Sequence, residues 1–381
     1  MPWRANAHPQ PARRTVTRVT RAVAAVLDAL GGDPASARVV RAPGRVNLIG
    51  DHTDYTGGFC LPVAIDRDCF VAVRRADAPG MSARSLDIDG AVAWTGRPPA
   101  AASIQPPWGR FVAAAAALAP GVDAALVVSS SVPPGAGLAS SAALCTALVL
   151  ALVSQPPTGH RLASLARDVE VRATRVPVGL MDQLASVFGR VGAALLIDCQ
   201  ANTVDPVPLP AGLALAAVHS GLPRTLAGSA YADRRAGCEA AARRLGLASL
   251  RDASAEQVAD DPLARHVVSE NARVLEAADA LRTGDTGRLG ALLAASQASL
   301  RDDFGVSTPE LDLLVEALLE EGAIGARLTG AGFGGCVVAL SRVEDQSTML
   351  THAVERYRLR TGLPARAWAV RAADGAGPAP R

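Results

Sequence analysis

From residue 124 to residue 160 the chain carries neither an acid nor an arginine, and this stretch limits the possible folds more than any other. Such a run is either a membrane span or a unit buried inside a soluble domain. Pro133, Pro134, Gly135 and Gly137 interrupt it, and the apolar remainder, 138–153, is shorter than the ~18 residues a spanning helix requires. The reading is therefore soluble: a β-branched lead-in at Leu126, Val127 and Val128, a glycine turn, then a buried helix. Gly135 and Gly137 lack a Cβ, so backbone there can approach an anion and take positive φ. Ser140 or Ser141 starts the helix, where free N–H groups and the helix dipole favour a phosphate.

Composition sharpens what that loop can do. All 38 basic residues are arginine, with no lysine anywhere. This excludes a P-loop lysine, a protein-kinase strand lysine and Schiff-base chemistry. A bound phosphate would have to be met by backbone N–H groups, a hydroxyl-bound metal and arginine. With 381 residues, 49% hydrophobic and 19% charged, the chain is globular and long enough for two or three domains. A net charge of +2 is no footprint for nucleic acid. Six cysteines without a C-x-x-C pair suit reduced thiols and a cytoplasmic location, and the six histidines show no metal spacing.

The start is rich in arginine (Arg4, Arg13, Arg14, Arg18, Arg21) and reads as a leader entering a first helix striped by Val16, Val19, Val23, Val26 and Leu30. Helical patterns follow over 109–118, 140–153, 162–173, 229–245, 270–281 and 309–320. Short strand-like runs lie at 39–40, before a Pro-Gly break, and at 70–73, 126–128, 195–197, 213–218, 336–340 and 367–370. The mixture predicts an α/β or α+β fold. Pro206, Pro208 and Pro210 mark the best boundary.

Two further segments carry chemistry. In 41–62, Asp51, His52, Thr53, Asp54 and Tyr55 form a polar cluster bracketed by Gly50 and the Gly57–Gly58 pair. Carboxylates that each accept two hydroxyl bonds suit a polyol such as a sugar. One histidine with two aspartates is a poor ligand count for a metal. In 326–336, Gly330, Gly332 and Gly335 fit G-x-G-x-x-G. A dinucleotide site needs a helix next, and a strand-like run follows instead. The first segment fails the same test, with Ser140 at its third position and no acid before Asp168.

Taken together the three segments resemble the three motifs of the GHMP kinases, and within them the galactokinase family. G-R-V-N-L-I-G-D-H-T-D-Y-T-G-G is similar to that family's signature, P-P-G-A-G-L-A-S-S-A-A to its phosphate loop and L-T-G-A-G-F-G-G-C to its third motif. Agreement extends roughly from Val39 to Arg371, including V-G-L-M-D-Q at 178–183 and S-A-Y-A-D-R-R-A-G-C-E at 229–239. The resemblance implies a two-lobed fold with the active site between the lobes. Residues 1–36 would be leader and first helix, 37–208 an N-terminal kinase lobe, 209–371 a C-terminal lobe and 372–381 a disordered tail.

By position, the resemblance implies Asp182 as the catalytic aspartate with Arg45 beside it. Asp51, His52, Asp54, Gly179 and Tyr231 match sugar-contacting positions. Pro134, Gly135, Ala136, Gly137, Leu138, Ala139, Ser140 and Ser141 match the loop around the ATP phosphates. Ser141 and Glu170 match the Mg²⁺-binding pair, and Trp108 fits a family pattern read as packing. The implied reaction is ATP-dependent phosphorylation of D-galactose at its anomeric hydroxyl, without nucleic acid or membrane. Related sugar-1-kinases acting on L-arabinose, galacturonate or N-acetylgalactosamine are the alternative, and a silent sugar sensor the remoter one. The family usually has Glu where this chain has Asp51, one methylene or about 1.5 Å shorter, at the position that reaches the sugar's C6 hydroxyl. Ala139 replaces a loop serine and Val178 a frequent cysteine.

Overall fold

The structure, a computed structural model, describes residues 11–222 and 227–380. The charge-free stretch becomes a strand, Ala124–Ser130, a glycine loop and a helix, Ser140–Leu152. From residue 142 to residue 152 every side chain of that helix except Leu144 is buried, so it lies inside the domain and needs partners on all sides. A six-stranded sheet supplies one. Its order is Gly377–Pro378, Arg38–Asn47, Pro62–Arg75, Ala124–Ser130, Met81–Ser85, Ala91–Trp94. Pairing is antiparallel except between Met81–Ser85 and Ala124–Ser130. Alternation along Pro62–Arg75 explains the layers. Cys69, Val71 and Val73 pack with the buried helix and with Trp108. Phe70 and Ala72 meet Val23, Val26 and Leu30 of the first helix, Pro11–Leu30, on the other face. Helices Gly109–Ala116, Gly159–Thr174 and Met181–Phe188 complete the inner layer.

A three-stranded sheet, Phe59–Cys60, Ala193–Asp198, Thr203–Pro208, follows. Pro206 and Pro208 lie in its outer strand, opposite Leu195 and Ala193. There the missing N–H costs no ladder bond, so these prolines are edge-strand residues rather than a linker. The chain then enters an antiparallel four-stranded sheet, Gly325–Thr329, Cys336–Arg342, Leu213–His219, Arg366–Val370. Helices Ala227–Arg244, Pro262–Thr283, Thr286–Asp302, Pro309–Glu320 and Gln346–Thr361 belong to this half. The fold is mixed α/β, as the sequence implies.

Two expectations need correction. The strand at 39–40 does not stop at Pro43 and Gly44. It runs to Asn47, with a register shift between Pro43 and Arg45 that absorbs the proline. Residues 372–380 are not a disordered tail: Ala372 bridges Ile65 and Gly377–Pro378 pairs with Arg41 and Val40, using the free edge of the first strand. The expected first helix spans Pro11–Leu30, and residues 1–10, read as leader, lie outside the described residues.

Candidate functional site

The glycine loop, the polar cluster at 51–54 and the turn at Gly330 converge on one cleft of about 380 Å³. Gly135 (φ 70°), Gly137 (φ 85°) and Ala139 (φ 58°) are left-handed, which curls the backbone into the concave path that anion-binding loops share. A Cβ on Gly135 would meet nothing, so glycine is required there for its φ alone. The helix begins at Ser140 and no side chain caps it. Its first-turn N–H groups are therefore left without intrahelical partners at the mouth of the cleft. Gly135, Gly137, Ala139, Ser140 and Ser141 line the cavity. Pro134 is exposed beside it, whereas Ala136 and Leu138 are buried in the core.

Opposite the loop, Arg45 holds Asp182 in a two-pronged pair: Nε to Oδ1 and Nη2 to Oδ2, both 2.8 Å. Arg45 Nη1 donates to the Gly137 carbonyl and its backbone N–H to that of Leu138, which ties the pair to the loop. Arg45 is only 4% exposed. A Cβ on Gly44 would lie 2.5 Å from the Leu138 carbonyl. Asp182 occupies the first turn of Met181–Phe188, where the helix dipole favours its charge.

Ser141 and Glu170 meet as well. Ser141 Oγ donates to Glu170 Oε1 and Gln183 Nε2 to Glu170 Oε2, both at 2.6 Å. Burial pushes the Glu170 carboxyl up to about 7, with Asp182 adding to the rise against the pull of Ser141, Arg45 and Gln183. A buried carboxylate and a hydroxyl, with too little positive charge around them, are the hard oxygen donors that suit Mg²⁺. No cluster of three or more His, Cys, Asp or Glu among the described residues could hold an ion.

In the polar cluster, His52 is left-handed (φ 66°). Its Nδ1 lies 3.0 Å from Tyr55 Oη, and its ring centroid lies 4.6 Å from that of Phe304 and 5.7 Å from that of Tyr231. Lost solvation raises the Asp54 carboxyl to about 6, and the neighbouring Asp182 adds to it. A Cβ on Gly179 would lie 1.6 Å from Asp54 Oδ2, so only glycine fits there. Asp51 is 1% exposed; it accepts from Gly330 N–H at 2.9 Å and pairs with Arg327 at 2.6 Å. Arg327 is fully buried and also donates to the Leu48 carbonyl. Glu270 stands behind it. Burial alone would raise this carboxyl, but His266, Arg273, Arg327 and the Ser296 hydroxyl outweigh it and hold it at about 2.

Every sugar, catalytic and metal position named from the sequence therefore lines this cleft, and Trp108 packs in the core, 7% exposed. The sequence reading gave no role to Gln183 or Arg327. Each lay inside a segment already singled out, Gln183 ending V-G-L-M-D-Q and Arg327 within 326–336, but only folding brings them to Glu170 and Asp51.

Comparisons with known proteins agree with this geometry. The galactokinase galactose-binding signature matches residues 28–75, the GHMP kinases N terminal domain 109–190 and the GHMP kinases C terminal domain 277–357. The galactokinase of Roseiflexus sp. (strain RS-1) is 42% identical over 371 residues, covering 89% of this chain and 92% of that protein. That of Chloroflexus aggregans is 42% identical over 356 residues, covering 85% and 89%. Among solved structures, Lactococcus lactis galactokinase complexed with galactose superposes with a TM-score of 0.85 at 29% identity, covering 95% of this chain and 99% of that one. A mevalonate kinase at 17% identity (TM-score 0.66, covering 88% and 98%) shares the fold.

Proposed function

The chain belongs to the galactokinase family of GHMP kinases, and from that membership we propose that it transfers the γ-phosphoryl group of ATP to the anomeric hydroxyl of D-galactose. The products are α-D-galactose 1-phosphate and ADP. It is an ATP-dependent sugar kinase. The observation that carries the assignment of roles is the juxtaposition, across one cleft, of the Arg45–Asp182 pair and the uncapped helix at Ser140.

Phosphoryl transfer is mostly positioning and charge stabilisation. The loop 134–141 receives the ATP phosphates through backbone N–H groups. Ser141 and Glu170 would hold Mg²⁺, which would supply positive charge against the phosphates. Asp51, His52, Asp54, Gly179 and Tyr231 hold the sugar, and Asp182 takes the proton of its anomeric hydroxyl. Arg45 aims Asp182 through its two-pronged contact and offers its charge to the transferring group. The six cysteines are thiols, which supports a reducing, cytoplasmic setting. No helix of the described residues is long and apolar enough to cross a membrane.

The Asp51–Arg327 contact favours one second reading, a sister kinase acting on a sugar with a different C6, such as L-arabinose. The test of both is a sugar panel with Mg²⁺ and ATP in a coupled ADP assay, with products identified by phosphorus NMR. D-Galactose giving the α-1-phosphate at the highest kcat/KM is the expected result. No sugar phosphate from any hexose or pentose overturns the reading.

A further inference from the structure

The segment 372–379, expected to be loose, crosses the two elements that carry Arg45 and Asp182. At one end it joins the first strand: Gly377 pairs with Arg41, Pro378 with Val40, and Ala379 N–H donates to the Val39 carbonyl at 2.9 Å. Arg41 reinforces this, with Nη1 on Asp68 at 2.6 Å and Nη2 on the Asp374 carbonyl at 3.0 Å. At its other end the segment caps the helix Met181–Phe188. Ala376 N–H donates to the Ser186 carbonyl and Gly375 N–H to the Gly189 carbonyl, both at 2.8 Å. Ser186 Oγ in turn donates to the Pro43 carbonyl of the first strand at 2.8 Å.

A helix of eight residues has little stability of its own, and its last carbonyls have no intrahelical donors. Its C-terminal end is therefore held by the groups that bond those carbonyls, while Met181, Leu184 and Ala185 pack its body. Asp182 lies one turn before Ser186, about 6 Å along the axis, and its partner Arg45 sits on the strand to which the same segment is hydrogen-bonded. We propose that residues 372–379 are a positioning strap that fixes the first strand against the helix Met181–Phe188 and so sets the geometry of the Arg45–Asp182 pair. This rests on the reading that Asp182 acts on the sugar hydroxyl.

Two glycines in the strap provide the test. A Cβ on Gly375 would lie 2.1 Å from the Val187 carbonyl, while one on Gly377 would meet nothing within 4 Å. Neither has a positive φ, so alanine at either site differs only in the space it needs. The strap's backbone hydrogen bonds go to neither the sugar-holding cluster nor the glycine loop, so its disturbance acts on turnover. A displacement of about 1 Å in a reacting group can cost ~100-fold.

Kinetics of the full chain carrying Gly375→Ala or Gly377→Ala are compared with the unaltered chain, well below Tm and with the fold checked by near-UV circular dichroism. Gly375→Ala is expected to lower kcat at least tenfold with both KM values within threefold, and Gly377→Ala to leave all three unchanged. A chain ending at Arg371 is expected to lose kcat likewise, and added peptide 372–381 to restore it. Folded Gly375→Ala with kcat within twofold of the unaltered chain overturns the strap, as does a peptide that restores Tm without kcat. An unaltered chain that makes no sugar phosphate overturns the functional reading instead.

Discussion

Arg45 and Asp182 stand 137 residues apart in sequence, yet two parallel 2.8 Å hydrogen bonds join them, and the arginine's remaining nitrogen reaches the Gly137 carbonyl. One guanidinium thus couples the aspartate proposed to accept the proton to the loop proposed to carry the phosphate. Asp182→Asn is expected to lower kcat at least 1,000-fold while ATP and sugar dissociation constants stay within threefold, read by single-turnover kinetics and calorimetry. Arg45→Lys keeps the charge but not the planar fork, and a fall in kcat of about 100-fold is expected. Normal turnover of either variant removes the pair from the mechanism.

Asp54 gives a pH dependence. Its folded carboxyl titrates near 6, against 3.8 ordinarily, and only the ionised form accepts two sugar hydroxyls. The kcat/KM for D-galactose should fall with unit slope below about pH 6, and Asp54→Asn should abolish that limb. The sign for stability runs the other way. Folding favours the protonated form, so Asp54's contribution is complete below pH 3.8 and is lost as pH rises through 6.

Asp51 is the residue proposed to face the sugar's C6. Its carboxylate is engaged by Gly330 N–H and Arg327, and it is one methylene shorter than the family's usual glutamate. We expect kcat/KM for D-galactose to exceed that for 6-deoxygalactose and L-arabinose by well under 10⁴-fold, about the discrimination of a site built to bond that hydroxyl. A ratio at that level would reject the idea.

Glu270 is a stability centre away from the reaction. It accepts from Gly50 N–H, Ser296 Oγ and Arg273 at 3.0, 2.6 and 2.7 Å. Glu270→Gln leaves Arg273 and Arg327 short of countercharge, and a loss of about 3 kcal/mol is expected from the denaturant midpoint. Because its folded carboxyl is depressed to about 2 from 4.5, its contribution is full above pH 4.5 and is lost as pH falls through 2.

The local part of the site was legible in the sequence because its signals are local. Glycines 135 and 137, the serines at 140 and 141 and the crowded polar run at 51–55 each announce themselves within a dozen residues. The helix Pro309–Glu320 was found with its observed bounds for the same reason, since Thr308 caps it and Pro309 opens it. What stayed hidden depends on pairing at a distance. Arg327 becomes part of the site only because a strand 279 residues from Leu48 lies beside it. Residues 372–380 have a tail's composition, and only the free edge of the first strand and the end of the helix Met181–Phe188, both distant in sequence, give their backbone a place. Likewise Pro206 and Pro208 read as a linker until an edge strand accommodates them.

The helix Ser140–Leu152 has a consequence for synthesis. A ribosome that has released the chain only as far as residue 160 has exposed this greasy rod with the earlier strands on one side, while Gly159–Thr174 and Met181–Phe188 have yet to emerge. Until they do, the face they will cover stays open to the chains of adjacent ribosomes and to holdase chaperones.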